Sequence, residues 1–462
     1  MIINGEKRKI AMEIAYILML MSAAMGDLKV FSVSQTRMMK AISLFIVVMA
    51  AAYLFISGRL ERVKTAASFV GVYGFVLIGI IVWSIFLWII NIESIDFILR
   101  GASKFMYQFL VLLIIFSGAY LFGERAIFTT FYGLAAANML MVVYNLGVYG
   151  ISDSINSVIA MLMGSDAQEG FARAMEIHDI TFTYGFFIIY LLFFAQHTKE
   201  RILCLLVSIF FFILGWKRIA LLALPVALFF GLIMGRMKPN RRIGFMKFIG
   251  WCAVIISFGY VIVTKTGAFE YITNYFGIDT MGRNDVYKYI EKYYQISLGF
   301  MGYGFEYTTV ILQKIMVDNP NAHIGVVALH NNILTIYIEL GFLGFWAWMI
   351  YTWVFQVNWM INHWGEKTGM LFFLCEMYIF ITYTTDNTLY YFFTSLVLRL
   401  MPLAYAFHIP TTQDIKLWPW VKEKNRACRQ NVGSSKNHII DVIFGYFQRK
   451  NQKFLQSRNF RF

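Results

Sequence analysis

Hydrophobic residues in this chain form long uninterrupted runs, and polar residues cluster in the short segments between them. Each run spans about 17–25 residues, enough for an α-helix to cross a hydrocarbon layer about 30 Å thick. In lipid, only helices and closed barrels satisfy all their backbone hydrogen bonds, and these runs lack the alternation typical of barrel strands. The pattern therefore predicts an all-α integral membrane protein.

We predict about twelve transmembrane helices, separated mostly by short connections. Their centres are expected near residues 18, 48, 78, 112, 138, 187, 208, 227, 256, 342, 377 and 398. A polytopic transmembrane domain is thus predicted over 1–408, with a long extracytoplasmic loop at 265–330. A basic cytoplasmic tail is predicted over 409–462.

Composition supports a membrane protein, because 59% of the residues are hydrophobic and only 14% are charged. The formal net charge is +14, with dense Lys and Arg clusters at 59–64, at 236–247 and in the tail. In a membrane protein such clusters mark the cytoplasmic side. We therefore interpret them as reflecting the orientation of the chain in the membrane, and we expect no nucleic-acid partner. The tail is expected to be attracted to anionic membrane lipid.

Cations occur at two predicted turns on the outer side. Lys217 and Arg218 lie between two apolar runs, and Arg283 follows Gly282 where a helix is expected to begin inside the long loop. Arg and Lys at helix starts suit the binding of phosphate. The alternative for Lys217 and Arg218 is that they only anchor helix ends among lipid head groups.

A histidine, His330, lies where the chain is predicted to re-enter the membrane. An imidazole there could accept a proton at neutral pH, although a histidine in this position is more often an interfacial residue without chemistry. Glu376 and Arg399 are charged residues inside apolar runs, at similar depths on neighbouring antiparallel helices. We expect them to form a structural ion pair.

Several short motifs occur together along the chain. They are the Lys217-Arg218 turn, Gly282-Arg283, Gly302-Tyr303-Gly304-Phe305, His330-Asn331-x-x-Leu334, Glu339-x-Gly341-x-x-Gly344, the segment from Arg173 to Phe182 and Thr385-Asp386-Asn387. In this order, and with the long outer loop, they resemble the superfamily of O-antigen and capsular polysaccharide polymerases (Wzy-type) and O-antigen ligases. The first 170 residues match only in hydropathy.

The resemblance implies a GT-C-like membrane glycosyltransferase that uses a donor glycan linked to undecaprenyl pyrophosphate, with no metal and no other cofactor. It implies that Arg218 and Arg283, with Lys217, bind the pyrophosphate and that His330 is catalytic. It also suggests supporting roles for further residues: Asn331, Glu339, Tyr303, Glu176, His178, Asp179, Asp386 and Asn387. For His178 and Asp179 the alternative is local hydrogen bonding at a helix start.

Two absences in the sequence agree with this chemistry. The chain has no Asp-x-Asp motif and no phosphate-binding glycine loop of the Walker type.

The expected location is a bacterial cytoplasmic membrane with the active site on the extracytoplasmic face, and a chain-length regulator is an expected partner. The alternatives are an O-antigen-type ligase, or a lipid-linked oligosaccharide flippase or secondary transporter. The flippase or transporter alternative would be favoured if Arg399 proved unpaired and faced a cavity.

Overall fold

The apolar runs of the sequence form helices that pack side by side in a bundle. The computed structural model describes residues 5–24, 35–57, 60–163, 170–175, 178–277, 280, 282–318 and 329–407. These residues are helical or lie in turns, with no strand among them. The all-α prediction is therefore confirmed for this part of the chain, and the predicted tail at 409–462 lies outside it.

Eighteen α-helices occur in the part of the chain that the structure describes. The first nine are α1 Gly5–Ala24, α2 Gln35–Ser57, α3 Leu60–Ile90, α4 Ile95–Phe122, α5 Arg125–Tyr149, α6 Ile151–Leu162, α7 Phe171–Met175, α8 His178–Phe193 and α9 Lys199–Leu214. The others are α10 Arg218–Arg236, α11 Pro239–Lys265, α12 Ala268–Tyr275, α13 Arg283–Glu291, α14 Tyr307–Asp318, α15 Asn332–Ile350, α16 Val357–Trp364, α17 Glu366–Thr382 and α18 Phe392–Ala406. A π-helical turn, Tyr351–Gln356, joins α15 to α16.

Each of the twelve predicted span centres falls inside one of these helices. Among the described residues, six helical segments are long and apolar enough to cross a membrane: Ala66–Ile90, Ile95–Phe122, Arg125–Tyr149, Arg218–Arg236, Pro239–Lys265 and Asn332–Trp364. Further apolar helices are shorter, at 10–17 residues. The chain thus has the helices of a multi-pass membrane protein, while the count of twelve spans stays a prediction.

Three helices, α8, α17 and α18, form the centre of the bundle. Their side chains are buried almost all the way round, as expected for helices surrounded by other helices. The α18 helix packs against α4, α5, α8 and α17. By contrast, α3 exposes large apolar side chains along its outer face, including Phe75, Ile78 and Val82. A face of that kind suits contact with lipid.

Ion pairs and backbone contacts identify the two ends of the bundle. At one end, Arg125 at the start of α5 pairs with Glu200 at the start of α9 (2.5 Å) and approaches Glu13 of α1 (3.9 Å). At the other end, the backbone N–H of Asn332 at the start of α15 donates to the carbonyl of Tyr383 after α17 (2.8 Å). We call this second end, where α8, α10, α15 and α18 begin, the site end.

The α15 helix is broken at Gly341, which has φ 71° and ψ −174°. A Cβ atom at Gly341 would lie 2.1 Å from the carbonyl carbon of Met301. Likewise, a Cβ atom at Gly302 (φ 85°) would lie 2.4 Å from the backbone nitrogen of Gly341. Only glycine fits at these two positions, so two motifs that are separate in the sequence contact each other directly.

The chain segment 299–305 and the side chain of Trp83 satisfy backbone groups that the break in α15 leaves unpaired. The N–H of Gly304 donates to the carbonyl of Glu339 (2.8 Å). The indole N–H of Trp83 in α3 donates to the carbonyl of Leu340 (2.9 Å). A broken helix is tolerated at membrane depth when protein groups pair with the freed backbone, and that condition is met here.

Candidate active site

His330 and Asp386 face each other at the site end. His330 immediately precedes the capping residue of α15, and Asp386 lies in the connection 383–391 between α17 and α18. The Nδ1 atom of His330 lies 3.7 Å from Oδ1 of Asp386. A carboxylate beside Nδ1 favours the tautomer in which Nδ1 carries the proton and Nε2 can accept one. The structure thus brings together two residues of separate predicted motifs.

Asp386 is ionised although it is largely buried. Burial raises its pKa, but the neighbouring His330, the hydroxyl of Tyr391 and the charge of Lys217 outweigh that effect and lower the pKa to about 2. The Tyr391 hydroxyl donates to Oδ1 at 2.7 Å, and the backbone N–H of Asn387 donates to the same atom at 2.8 Å. Asn387 therefore acts here through its backbone.

Asn331 connects the start of α15 to two other parts of the site end. Its side-chain oxygen accepts from the N–H of Leu334 (3.0 Å), which caps the helix. Its amide nitrogen donates to the hydroxyls of Tyr260 in α11 and Tyr287 in α13, both at 3.0 Å. The Tyr260 hydroxyl donates in turn to the carbonyl of Thr384 (2.9 Å). A buried side-chain amide with these hydrogen bonds fixes the relative positions of the segments that it joins.

Arg283 lies next to this network. It is the first residue of α13, after Gly282 with φ 77°, and it is half-buried. Burial raises the pKa of Tyr287, and the Asn331 and Tyr260 hydrogen bonds and the charge of Arg283 act against that rise. No carboxylate among the described residues lies within 4 Å of the Arg283 guanidinium. An anionic ligand could therefore use this cation.

Lys217 immediately precedes α10, and Arg218 is the first residue of that helix. Trp216 has φ 41°, and Gly215 packs so closely against α8 that a Cβ atom there would lie 2.2 Å from Oγ1 of Thr181. Lys217 is buried, and its charge lowers the pKa of Asp386. Arg218 is exposed. The turn thus directs one cation towards Asp386 and leaves the other at the surface.

Asp179 holds the start of α18 in place. Its two carboxylate oxygens accept from the N–H groups of Phe393 (2.9 Å) and Thr394 (2.8 Å). Carboxylates at helix starts satisfy free N–H groups and favour the helix dipole. This contact runs from α8 to another helix, α18. The His178 side chain and Glu176 lie outside the described residues.

Glu339 and Tyr303 belong to a second polar cluster, deeper in the bundle. The Glu339 carboxylate accepts from the N–H (3.2 Å) and the hydroxyl (2.6 Å) of Thr308. Tyr303 stacks on Tyr307 with ring centroids 4.1 Å apart. Glu339 is buried, so these contacts favour a structural role beside the break in α15.

Two charged residues of this deeper cluster were missed by the sequence analysis. Lys104 of α4 pairs with Glu306 at 2.5 Å, and its ammonium group lies 4.9 Å from the centre of the Tyr390 ring. A charge inside an apolar run was the available signal for Lys104. Glu306 follows the Gly302-to-Phe305 motif directly, but nothing local marked it as the partner of a residue about 200 positions earlier.

The expected ion pair between Glu376 and Arg399 does not form as a direct contact. The two groups interact electrostatically, yet no carboxylate of the described residues lies within 4 Å of Arg399. Arg399 instead donates to the amide oxygen of Gln108 in α4 (3.0 Å) and lies over the Tyr73 ring (5.6 Å). It lines a cavity.

Comparisons with known proteins identify no relative of this chain. No protein-family model, no curated protein and no solved structure matches it.

Proposed function

We propose that this protein polymerises undecaprenyl-pyrophosphate-linked oligosaccharide repeat units into a surface polysaccharide. The observation that carries the proposal is the pairing of His330 with an ionised Asp386 at one end of a membrane bundle, with Lys217 and Arg283 acting on the same network. A proton acceptor beside cations suits glycosyl transfer from a lipid pyrophosphate, because the acceptor hydroxyl loses a proton and negative charge builds on the departing pyrophosphate. The sequence resemblance to Wzy-type polymerases supports the same activity.

In the proposed reaction, the bond between the anomeric carbon and the pyrophosphate oxygen breaks. A hydroxyl oxygen of the incoming repeat unit forms the new glycosidic bond, and Nε2 of His330 accepts the hydroxyl proton. Arg218 and Arg283, with Lys217, stabilise the negative charge that builds on the departing lipid pyrophosphate. Asp386 is a positioning residue, because it orients His330 without touching the substrate.

The proposal includes the arrangement in the membrane. We place twelve spans in a bacterial cytoplasmic membrane in a GT-C-like arrangement, with the site end on the extracytoplasmic face. The basic clusters at 59–64 and 236–247 support this orientation, because Lys and Arg accumulate on the cytoplasmic side. The proposed partners are the lipid-linked oligosaccharide, membrane lipid and a chain-length regulator.

Surface glycan size tests the proposal. A deletion strain would be complemented with wild type, His330→Asn, Arg218→Ala or Arg283→Ala, with equal membrane abundance checked by immunoblot. The matched controls are His363→Ala and Arg241→Ala, which change exposed residues at the opposite end of the bundle. We expect long glycan with wild type and controls, and single-repeat glycan with the three site variants. Long glycan in all three site variants would contradict the proposal.

The same experiment separates the alternatives. Long glycan that stays on its lipid carrier in the deletion strain would indicate a ligase, and repeat units that never reach the outer face would indicate a flippase. One observation favours the flippase alternative, because Arg399 lines a cavity without a carboxylate within 4 Å among the described residues. Buried cations in a bundle mark transport pathways in some membrane proteins.

A further inference from the structure

A cavity separate from the His330 site lies among α3, α4, α15 and α18. It has a volume of about 70 Å³. Apolar side chains such as Leu77 and Phe105 form most of its lining, and its polar groups come from Tyr73, Gln108, Tyr390 and Arg399. The connection 383–391 contributes Asp386 to the candidate active site and Leu389 and Tyr390 to this cavity. The two features are neighbours with different linings.

Arg399 gives the cavity a positive charge that its neighbours only partly satisfy. Arg399 contacts the neutral amide oxygen of Gln108 and the face of the Tyr73 ring, while Glu376 acts only at a longer range. A guanidinium carries five N–H donors, and a single amide oxygen uses few of them. Because a charge at membrane depth is costly without a partner, this site favours an anionic ligand.

The volume of the cavity limits what can enter it. A bound water needs about 10–15 Å³ of cavity volume, so a cavity of about 70 Å³ holds about five waters or one group of the size of a phosphate. An oligosaccharide or an isoprenoid chain is too large. Leu77 and Ile80 line the cavity from α3, the helix whose outer face is the most exposed of the six long apolar segments. A head group bound in this cavity would therefore leave its hydrocarbon tail outside it.

We propose that this cavity binds the phosphate of a membrane amphiphile, with Arg399 as its principal ligand. Arg is the side chain best suited to hold phosphate through paired hydrogen bonds. Tyr73 brings to the same cavity a buried hydroxyl that has no hydrogen-bond partner among the described residues. The phosphate could belong to an ordinary phospholipid or to a polyprenyl carrier, and the site does not depend on glycosyl transfer.

Native mass spectrometry of the full chain in detergent tests this proposal. The probes are phosphatidylglycerol and undecaprenyl phosphate, with diacylglycerol and undecaprenol as matched lipids that lack the phosphate. We expect Arg399→Gln to weaken binding of one anionic lipid molecule about tenfold, since it removes a charge-assisted contact. Arg241→Gln, which removes an exposed charge, and Arg283→Ala, which alters the other site, should leave this molecule bound.

A second pair of variants covers the case in which Arg399→Gln fails to fold. Leu77→Trp fills the cavity from α3 and keeps Arg399, whereas Ile78→Trp adds the same bulk on the exposed face of α3. Only Leu77→Trp should displace the lipid. The lipid that these variants displace, phosphatidylglycerol or undecaprenyl phosphate, identifies the source of the phosphate. Unchanged binding in both cavity variants, or equal binding of the uncharged probes, would overturn the proposal.

Discussion

At the scale of residues, His330 depends on its backbone as well as on Asp386. Its φ is 48°, in the left-handed region of backbone conformation that residues other than glycine rarely adopt. Asn tolerates this conformation better than most residues. His330→Asn therefore removes the imidazole with little added strain, which makes it a cleaner test of the proposed proton acceptor than His330→Ala.

Asp386→Asn should reduce glycan synthesis by weakening the orientation of His330, while the chain still folds. Because the pKa of Asp386 is lowered to about 2, its contribution to stability is present above its ordinary pKa of 3.8 and lost only as the pH falls towards 2. The difference in melting temperature between wild type and Asp386→Asn should therefore stay constant from pH 5 to pH 8. A difference that disappears within this range would show that Asp386 is not ionised as described.

Asp179 is expected to matter for stability more than for chemistry. Asp179→Ala leaves the N–H groups of Phe393 and Thr394 without their acceptor and should cost about 1–2 kcal/mol, as for other capping residues. Asp179→Asn keeps one acceptor oxygen and should cost less. Thermal unfolding and glycan length would be measured together. Normal stability with no polymer in Asp179→Asn would assign Asp179 to the chemistry instead.

At the scale of elements, the break in α15 is the feature that joins the long loop to the bundle. Gly341→Ala would place a Cβ atom 2.1 Å from the carbonyl carbon of Met301, at a backbone φ of 71°. We expect a large loss of folded protein, measured by size-exclusion chromatography in detergent. Gly259→Ala is the matched control, because nothing lies within 4 Å of a Cβ atom at that helical position. Equal yields of the two variants would contradict this packing.

A hydrogen bond from Asn331, the capping residue of α15, links this helix to Tyr287 of α13. Tyr287→Phe removes that acceptor and leaves the ring in place, so the helix should dock less firmly and carry Arg283 with it. Hydrogen exchange of residues 283–291 should become faster, while exchange in α18 stays unchanged. Tyr289→Phe, on the same helix, is the control. Equal exchange in the two variants would argue against this role of Asn331.

At the scale of the whole molecule, the sequence could predict the positions of the helices, because these depend on local constraints. Lipid requires each spanning segment to satisfy its own backbone, so helix positions follow from apolar runs alone, and all twelve predicted centres fall in helices. Helices that alternate in direction also bring every second connection to the same end. That is why His330, Lys217 and Asp386 could be expected at one end of the bundle.

The sequence could not predict contacts that depend on rotation about a helix axis. Glu376 and Arg399 were placed at similar depth, but depth does not fix direction, and Arg399 turns towards Gln108 of α4. The pairing of Lys104 with Glu306 joins distant parts of the chain. Glu306 directly follows the segment 299–305, whose backbone packs against Gly341. Tertiary packing decides such contacts, and no local pattern encodes them.

We propose that the site end transfers glycan from a lipid pyrophosphate. The most direct measurement uses purified protein in lipid nanodiscs with a synthetic undecaprenyl-pyrophosphate-linked repeat unit, and follows chain length by mass spectrometry. We predict polymer with wild type and with His363→Ala, and a rate about 10²–10⁴-fold lower with His330→Asn, the range that general-base catalysis contributes. No polymer with wild type on any of a panel of repeat units, or an unchanged rate with His330→Asn, would contradict the account.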